Sequence, residues 1–151
     1  MRVQRIYNVE LLRSVMLKDR LWSAISEDDS LPQDEYWPNL EAITAVALLN
    51  DDSLHGFVLA RPLNESLIDT HVAIDPDYWG NKNNVELGRM ACKYILAANP
   101  RALKLIACIP VPDRQVLRFA QRVGFQREGI NKQSFLRDGE VLDQYYVGLR
   151  R

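Results

Sequence analysis

The stretch from residue 75 to residue 86, Asp-Pro-Asp-Tyr-Trp-Gly-Asn-Lys-Asn-Asn-Val-Glu, separates two segments of different periodicity. Before it, the run Leu67–Ile74 is rich in apolar and β-branched residues and predicts a strand. After it, apolar residues recur at helical spacing from residue 85 to residue 98, and Asn84 is able to cap the start. The sequence therefore predicts a strand, a turn that contains Gly80, and a helix.

Further elements are predicted on both sides of this unit. Strands are predicted at residues 3–7, 42–49, 54–63, 67–74 and 103–109, and a terminal hairpin pairs residues 125–136 with 140–149 around Asp138-Gly139. Two short helical segments are predicted between Val9 and Ile25, and another helix ends at Gly124. Residues 26–39 hold five carboxylates and two prolines and predict a loop. This order predicts a mixed α+β fold with crossover helices.

Composition favours one soluble domain over residues 1–151, because 47% of the residues are hydrophobic and 26% are charged. The net charge of −1 disfavours generic nucleic-acid binding, and no signal or membrane-spanning run is present, so we expect a cytoplasmic protein. Residues 101–151 carry ten basic and five acidic side chains, which places any anion-binding surface there. Cys92 and Cys108 lack partners at metal-ligand spacing, so we expect buried, reduced thiols and no metal.

Short motifs follow one another in a fixed order between residues 68 and 149. They are Asp75-Pro76-Asp77-Tyr78-Trp79-Gly80, Gly124-Phe125, Glu128-Gly129, Asp138-Gly139 and Asp143. Their order and spacing resemble those of the GNAT acetyltransferases, especially the branch that acetylates ribosomal-protein N-termini. The resemblance implies the GNAT acyl-CoA N-acyltransferase fold, a mixed, mostly antiparallel sheet flanked by helices. Residues 1–65 agree with it only in element order.

The resemblance also implies a cofactor. In GNAT enzymes the turn after the fourth strand presents backbone N–H groups and a helix N-terminus to the diphosphate of acetyl-CoA. Backbone N–H groups of the fourth strand, at Val72, Ala73 and Ile74, would polarise the thioester carbonyl. The cofactor-binding residues that the resemblance implies are Val72, Ala73, Ile74, Gly80, Asn81, Lys82, Asn83, Asn84, Val85 and Asp113.

Several positions depart from the pattern of the family. Lys82 and Asn84 stand where the branch has small residues, although lysine can neutralise a phosphate and asparagine tolerates positive φ. Asp113, Val116 and Ala120 stand where the enzymes place asparagine, serine and tyrosine, so three polar functions change together. These departures predict a weakened acetyl-CoA site and argue against catalysis.

His71 is the only histidine in the matching region, and this makes it the candidate general base for an amine substrate. Asp69 shares its strand face through period-2 spacing. The alternative is that the His71 ring packs on the sheet with its nitrogens satisfied locally, which is the commoner role. Glu128 also has two interpretations, as a general base or as a residue that orients a loop.

Other charged and aromatic residues have two interpretations. Arg114, Arg118 and Arg122 lie along one helix face. They could bind a ribose phosphate or an acidic partner, or they could form a solvated face, and we favour the solvated face. The acidic run at 27–35 attracts an amine or a basic partner, or is solvated. The aromatic residues that could anchor an interface or pack in the core are Trp22, Trp37, Trp79, Tyr145 and Tyr146.

Three functions follow from these patterns. The segments 11–14, 26–29 and 119–125 resemble small GNAT-fold proteins of tailed bacteriophages, some of which are head-assembly or internal virion proteins. The first expectation is therefore a non-catalytic virion assembly or genome-delivery protein with protein partners. The alternative is an acetyl-CoA-dependent N-acetyltransferase that acts on a protein or small-molecule amine, and a third is an acyl-CoA sensor. The fold allows a symmetric dimer through residues 130–151, but nothing in that segment requires it.

Overall fold

Seven strands form one sheet in the computed structural model, which describes every residue from Met1 to Arg151. The strands are β1 Arg2–Ile6, β2 Thr44–Asn50, β3 Ser53–Pro62, β4 Leu67–Ile74, β5 Lys104–Pro110, β6 Gln126–Arg137 and β7 Glu140–Arg150. The helices are α1 Val9–Met16, α2 Asp19–Ile25, α3 Asn84–Ala98 and α4 Arg114–Val123. The predicted order of elements and the predicted mixed fold are confirmed, with ends that differ by one or two residues.

The sheet runs in the order β1-β2-β3-β4-β5-β7-β6. Neighbouring strands are antiparallel except β4 and β5, which are parallel because α3 crosses between them. The predicted terminal hairpin is β6 and β7, joined by Asp138 at φ 52° and Gly139 at φ 74°. Two successive residues with positive φ match the twist of the flanking strands, as an Asp-Gly turn predicts.

Helices cover both faces of the sheet. Leu87, Ala91 and Ile95 of α3 lie in one buried cluster with β2, β3, β5 and β7. Leu12 and Met16 of α1 form the second cluster with the opposite face of β2, β3 and β4. No helix is long and apolar enough to cross a membrane.

The two cysteines differ in environment. Cys92 is buried in the α3 cluster, and burial raises the pKa of its thiol to about 12. Cys108 on β5 is only half-buried, so the prediction that both thiols are buried is wrong for this residue. Both are free thiols.

Gly56 lies where β3 passes closest to the end of β4. Its φ is +147°, and an added Cβ would stand 2.1 Å from the carbonyl oxygen of Ala73. Gly56→Ala is therefore expected to lower the free energy of unfolding by about 2–3 kcal/mol, measured by urea denaturation. Gly129→Ala is the matched control, because a Cβ there meets nothing within 4 Å, and a change within about 0.5 kcal/mol is expected. Equal effects of the two substitutions would contradict the close approach.

Candidate functional site

The parallel pair β4 and β5 separates halfway along its length. The strands pair only from Leu67 and Lys104 to Asp69 and Ile106, and the Thr70 hydroxyl donates to the Ile106 carbonyl at 2.7 Å. Beyond this point, residues 71–74 of β4 and 107–110 of β5 have no strand partner on their facing edges. We call this opening in the middle of the sheet the cleft.

Two backbone N–H groups of β4 point into the cleft. The Asp75 N–H donates to the His55 carbonyl on β3 at 2.9 Å. Because antiparallel strands direct alternate residues to the same neighbour, Ala73 also faces β3, whereas Val72 and Ile74 face the cleft. Of the three N–H groups predicted to act on a carbonyl, that of Ala73 belongs to the β3 ladder, and the other two are free.

The turn between β4 and α3 presents a second group of free donors. The N–H groups of Gly80, Lys82, Val85 and Glu86 have no acceptor in the protein, and we call these four the cradle. Gly80 has a φ of +80°, and open space lies where a Cβ would stand. Unpaired N–H groups at a helix N-terminus attract anions, so the cradle fits a phosphate or diphosphate.

The two residues predicted to weaken this site leave it open. The side chain of Lys82 is exposed, and that of Asn84 is buried and points to the interior. The predicted cap at Asn84 is wrong, because the helix begins at Asn84 and its N-cap is Asn83, which makes no side-chain cap bond. Asn81 holds the turn instead, since its Oδ1 accepts from the Asn83 N–H at 2.9 Å.

A histidine that the sequence motifs missed lies behind the cradle. His55 on β3 is 1% exposed, and its ring stacks on Tyr78 with centroids 4.0 Å apart. Its Nδ1 lies 2.7 Å from Oδ1 of Asn84, whose Nδ2 donates to the Tyr78 carbonyl at 2.9 Å. The only sequence signal was a histidine inside an apolar strand, next to a glycine.

The candidate base lies at the edge of the cleft. His71 is 63% exposed by its side chain, and its Nε2 is 3.2 Å from Oδ2 of Asp69. Arg61 of β3 contacts the same oxygen at 3.1 Å. Burial works to raise the pKa of Asp69, but the hydrogen bond from His71 and the charges of His71 and Arg61 outweigh it, so this pKa lies below its usual value. An ionised Asp69 only accepts, so Nε2 carries a proton, and in the neutral form of the ring Nδ1 is the nitrogen with the lone pair.

No protein family matches the sequence by its family model, and no curated protein matches it. Solved structures match over nearly the whole chain. Spermidine N-acetyltransferase from Vibrio cholerae, in complex with CoA and spermine, has a TM-score of 0.80 at 16% identity over 99% of this chain and 94% of that one. A GNAT-family acetyltransferase from Bacillus anthracis has a TM-score of 0.73 at 15% identity, over 98% and 93% of the two chains. Salmonella typhimurium yncA, with its cofactor acetyl-CoA, reaches 0.74 at 15% identity, over 99% and 93%.

The chain has the GNAT fold. The solved structures cover 98–99% of the chain. The structural likeness therefore extends to residues 1–65, where the sequence shows only the same order of elements. The ribosomal-protein branch and the phage resemblance stay predictions, since the solved structures reported above are not described as either.

Asp113, where GNAT enzymes have a pantetheine contact, forms an ion pair. Its Oδ1 and Oδ2 accept from the two terminal nitrogens of Arg137 at 2.8 and 3.1 Å. Arg137 also donates to the carbonyl of Ala24 on α2 at 2.9 Å. The carboxylate therefore ties α4 to β6, and its predicted cofactor contact remains untested.

Ala120 is buried and Val116 is exposed, so neither places a polar group in the cleft.

The acidic loop is fastened to the tip of the β6–β7 hairpin. Asp28 accepts from the N–H groups of Asp138 and Gly139 at 2.9 and 2.8 Å, and its own N–H donates to the Leu136 carbonyl at 3.1 Å. Asp28, one of the carboxylates of the acidic run at 27–35, is therefore used in a contact that holds the fold together. Glu128 also makes a structural contact, an ion pair with Lys104.

Asp28→Ala is expected to lower the free energy of unfolding by about 1–2 kcal/mol, because it removes two hydrogen bonds to a charged acceptor. The measurement is urea denaturation. Asp29→Ala is the matched control, since Asp29 is exposed and has no side-chain partner, and it should leave stability within about 0.5 kcal/mol. Two variants of equal stability would contradict the contact.

The remaining candidates lie on the surface. Arg114, Arg118 and Arg122 are all exposed along α4, as a solvated face predicts. Trp37 and Trp79 are also exposed, at 60% and 45%, rather than packed in the core. The Trp79 indole N–H donates to the Ile74 carbonyl at 2.8 Å, which places this ring beside the cleft.

Proposed function

We propose that the protein is an acetyl-CoA-dependent N-acetyltransferase. One observation carries the proposal: free N–H donors lead from the cleft, at Val72 and Ile74, to the cradle at the start of α3. Such a path suits an extended ligand that has a diphosphate at one end and a carbonyl at the other. The likeness to acetyltransferases of the GNAT fold supports the same function.

The residues present fit this cofactor. The N–H groups of the cradle would hold the diphosphate, and the Lys82 ammonium would add positive charge beside it. The Val72 and Ile74 N–H groups would bind the pantetheine arm and polarise the thioester carbonyl. Acetyl-CoA supplies an activated acetyl group, whose transfer to an amine releases the CoA thiol.

His71 is the residue that would move the substrate proton. Its Nε2 is held by Asp69, which leaves the Nδ1 lone pair to take a proton from the ammonium of the substrate. The carboxylate fixes the tautomer and stabilises the imidazolium that results. The second proton of the amine ends on the leaving thiolate, and because residue 120 is alanine, water would carry it there.

The test is release of free CoA thiol from acetyl-CoA with a panel of amines, which includes polyamines, small primary amines and peptides with free N-termini. An amine-dependent rate that exceeds the hydrolysis of acetyl-CoA is the expected result, with the acetylated amine identified by mass spectrometry. Tight binding of acetyl-CoA without turnover of any amine would support the acyl-CoA sensor instead.

The virion role remains a prediction, because no contact described above favours assembly over acetyl transfer. An acceptor of the ribosomal N-terminal kind, protein partners, a dimer through the terminal hairpin and a cytoplasmic location likewise stay predictions. Oligomeric state in solution, measured by light scattering, is the direct test of the dimer.

A further inference from the structure

We infer that His55 and Asn84 form a positioning pair that aligns the N-terminus of α3 with the turn before it, so that the free N–H groups of both face the cofactor diphosphate. The inference rests on the proposed function, since it concerns the same cradle. Neither side chain faces the ligand, so both act through the N–H groups of the turn and of the first helical residues.

An asparagine at a helix N-terminus normally satisfies the free N–H groups itself. Its side-chain oxygen accepts from the second or third helical N–H and so competes with any external anion. Asn83 occupies the N-cap position of α3, yet its side chain makes no cap bond. The N–H groups of Val85 and Glu86 consequently stay free.

Asn84, the first residue of α3, directs its side chain inward, where both of its polar atoms are paired. Its Nδ2 donates to the Tyr78 carbonyl, which identifies the other atom as Oδ1, and Oδ1 is 2.7 Å from Nδ1 of His55. His55 Nδ1 therefore carries the proton and donates it. Asn84 is 4% exposed, and a buried network that is fully paired holds one geometry firmly.

The same contacts fix the turn relative to the helix. The Tyr78 ring stacks on His55 at an angle of 15°, and the Tyr78 carbonyl accepts from both Asn84 Nδ2 and the Asn81 N–H. The N–H groups of Gly80 and Lys82 lie between these anchors. The pair thus aligns the two halves of the cradle, one in the turn and one in the helix.

The experiment is calorimetric titration of CoA into Asn84→Asp and His55→Leu, with steady-state kinetics for acetyl-CoA. Asn84→Asp keeps the shape of the side chain but places a negative charge beneath the cradle and removes the donor to Tyr78. Both variants are expected to raise the Kd for CoA and the KM for acetyl-CoA at least tenfold, with kcat within about twofold of the wild type.

Two further variants separate positioning from general support of the helix. Asn99→Ala removes an amide contact at the other end of α3, where Nδ2 donates to the Ile95 carbonyl at 2.7 Å. We expect it to lower Tm but to leave the Kd unchanged. His55→Asn keeps a donor near the position of Nδ1, so its Kd should lie within about threefold of the wild type, which a loss of packing alone does not predict.

The outcomes distinguish the inference from the proposed function. If the wild type binds CoA, and folded Asn84→Asp and His55→Leu bind it equally well, the inference is wrong and the function stands. If Asn99→Ala weakens binding as much as Asn84→Asp, the effect is general to α3 and the inference is also wrong. A wild type that binds no CoA overturns both.

Discussion

Gly80→Val is expected to reduce CoA binding by at least 100-fold in a protein that still folds. The φ of Gly80 is +80°, a conformation that a β-branched residue avoids, so the turn must change shape and carry its N–H groups away from the cradle. A Cβ at Gly80 meets nothing within 4 Å, so the side chain would occupy only the open space that a phosphate needs. Calorimetric titration of CoA measures the change.

Gly139→Val is the matched control for backbone strain. Gly139 has a φ of +74°, also with nothing within 4 Å of an added Cβ, but it lies at the tip of the β6–β7 hairpin. This variant should lose a similar amount of thermal stability and bind CoA as the wild type does. The cradle assignment fails if Gly80→Val binds CoA with unchanged affinity.

His71→Gln is expected to lower kcat by about 100-fold to 1,000-fold, because a positioned general base contributes a factor of this size. Glutamine has no lone pair of comparable basicity, so the substrate proton must leave directly to water. The Kd for CoA should not change, since His71 is not among the N–H donors of the cradle or the cleft. Initial rates with saturating acetyl-CoA, combined with calorimetry, measure the two effects separately.

The neighbouring carboxylate provides the control. Asp69→Asn should lower kcat less, because the amide oxygen still accepts from Nε2 while the negative charge is lost. A kcat for His71→Gln within about threefold of the wild type would remove His71 from the mechanism.

Local patterns predicted the fold well. The apolar runs of β2, β3 and β4, the helical spacing in α3 and the Asp138-Gly139 turn each depend on residues close in sequence. Chain order then restricts the topology, because a strand followed by a crossover helix leads to a parallel neighbour. These local patterns do not predict the separation of β4 from β5, because it depends on contacts between segments that are distant in sequence.

The candidate site was predicted less well because its important contacts are long-range. His55 and Asn84 are 29 residues apart and meet only when β3 packs against the start of α3. Asp113 and Arg137 likewise come from α4 and β6. A single sequence shows each residue without its partner, so it predicts a cap at Asn84 and gives no sign of the ion pair between Asp113 and Arg137.

Backbone chemistry explains how the cradle forms despite the departures from the pattern of the family, and the predicted weakening of the cofactor site stays a prediction. The cradle consists of N–H groups, which every residue except proline carries, so Lys82 provides its N–H donor although the family has a small residue there. What matters is where the side chain goes, and Lys82 turns to solvent while Asn84 turns inward. Comparison of the sequence with the pattern of the family shows that the residues differ at these positions, but it does not show where the new side chains point.

Thermal unfolding of the wild type in the presence of increasing acetyl-CoA tests the central claim most directly. A ligand at 100 times its Kd adds about 2.7 kcal/mol to the free energy of unfolding, which corresponds to a rise in Tm of about 5–10 °C for a chain of this length. A saturable rise of this size, with acetyl-CoA and with CoA, is the predicted result. An unchanged Tm at millimolar concentrations of both ligands would contradict the assignment of the cleft and the cradle to acetyl-CoA.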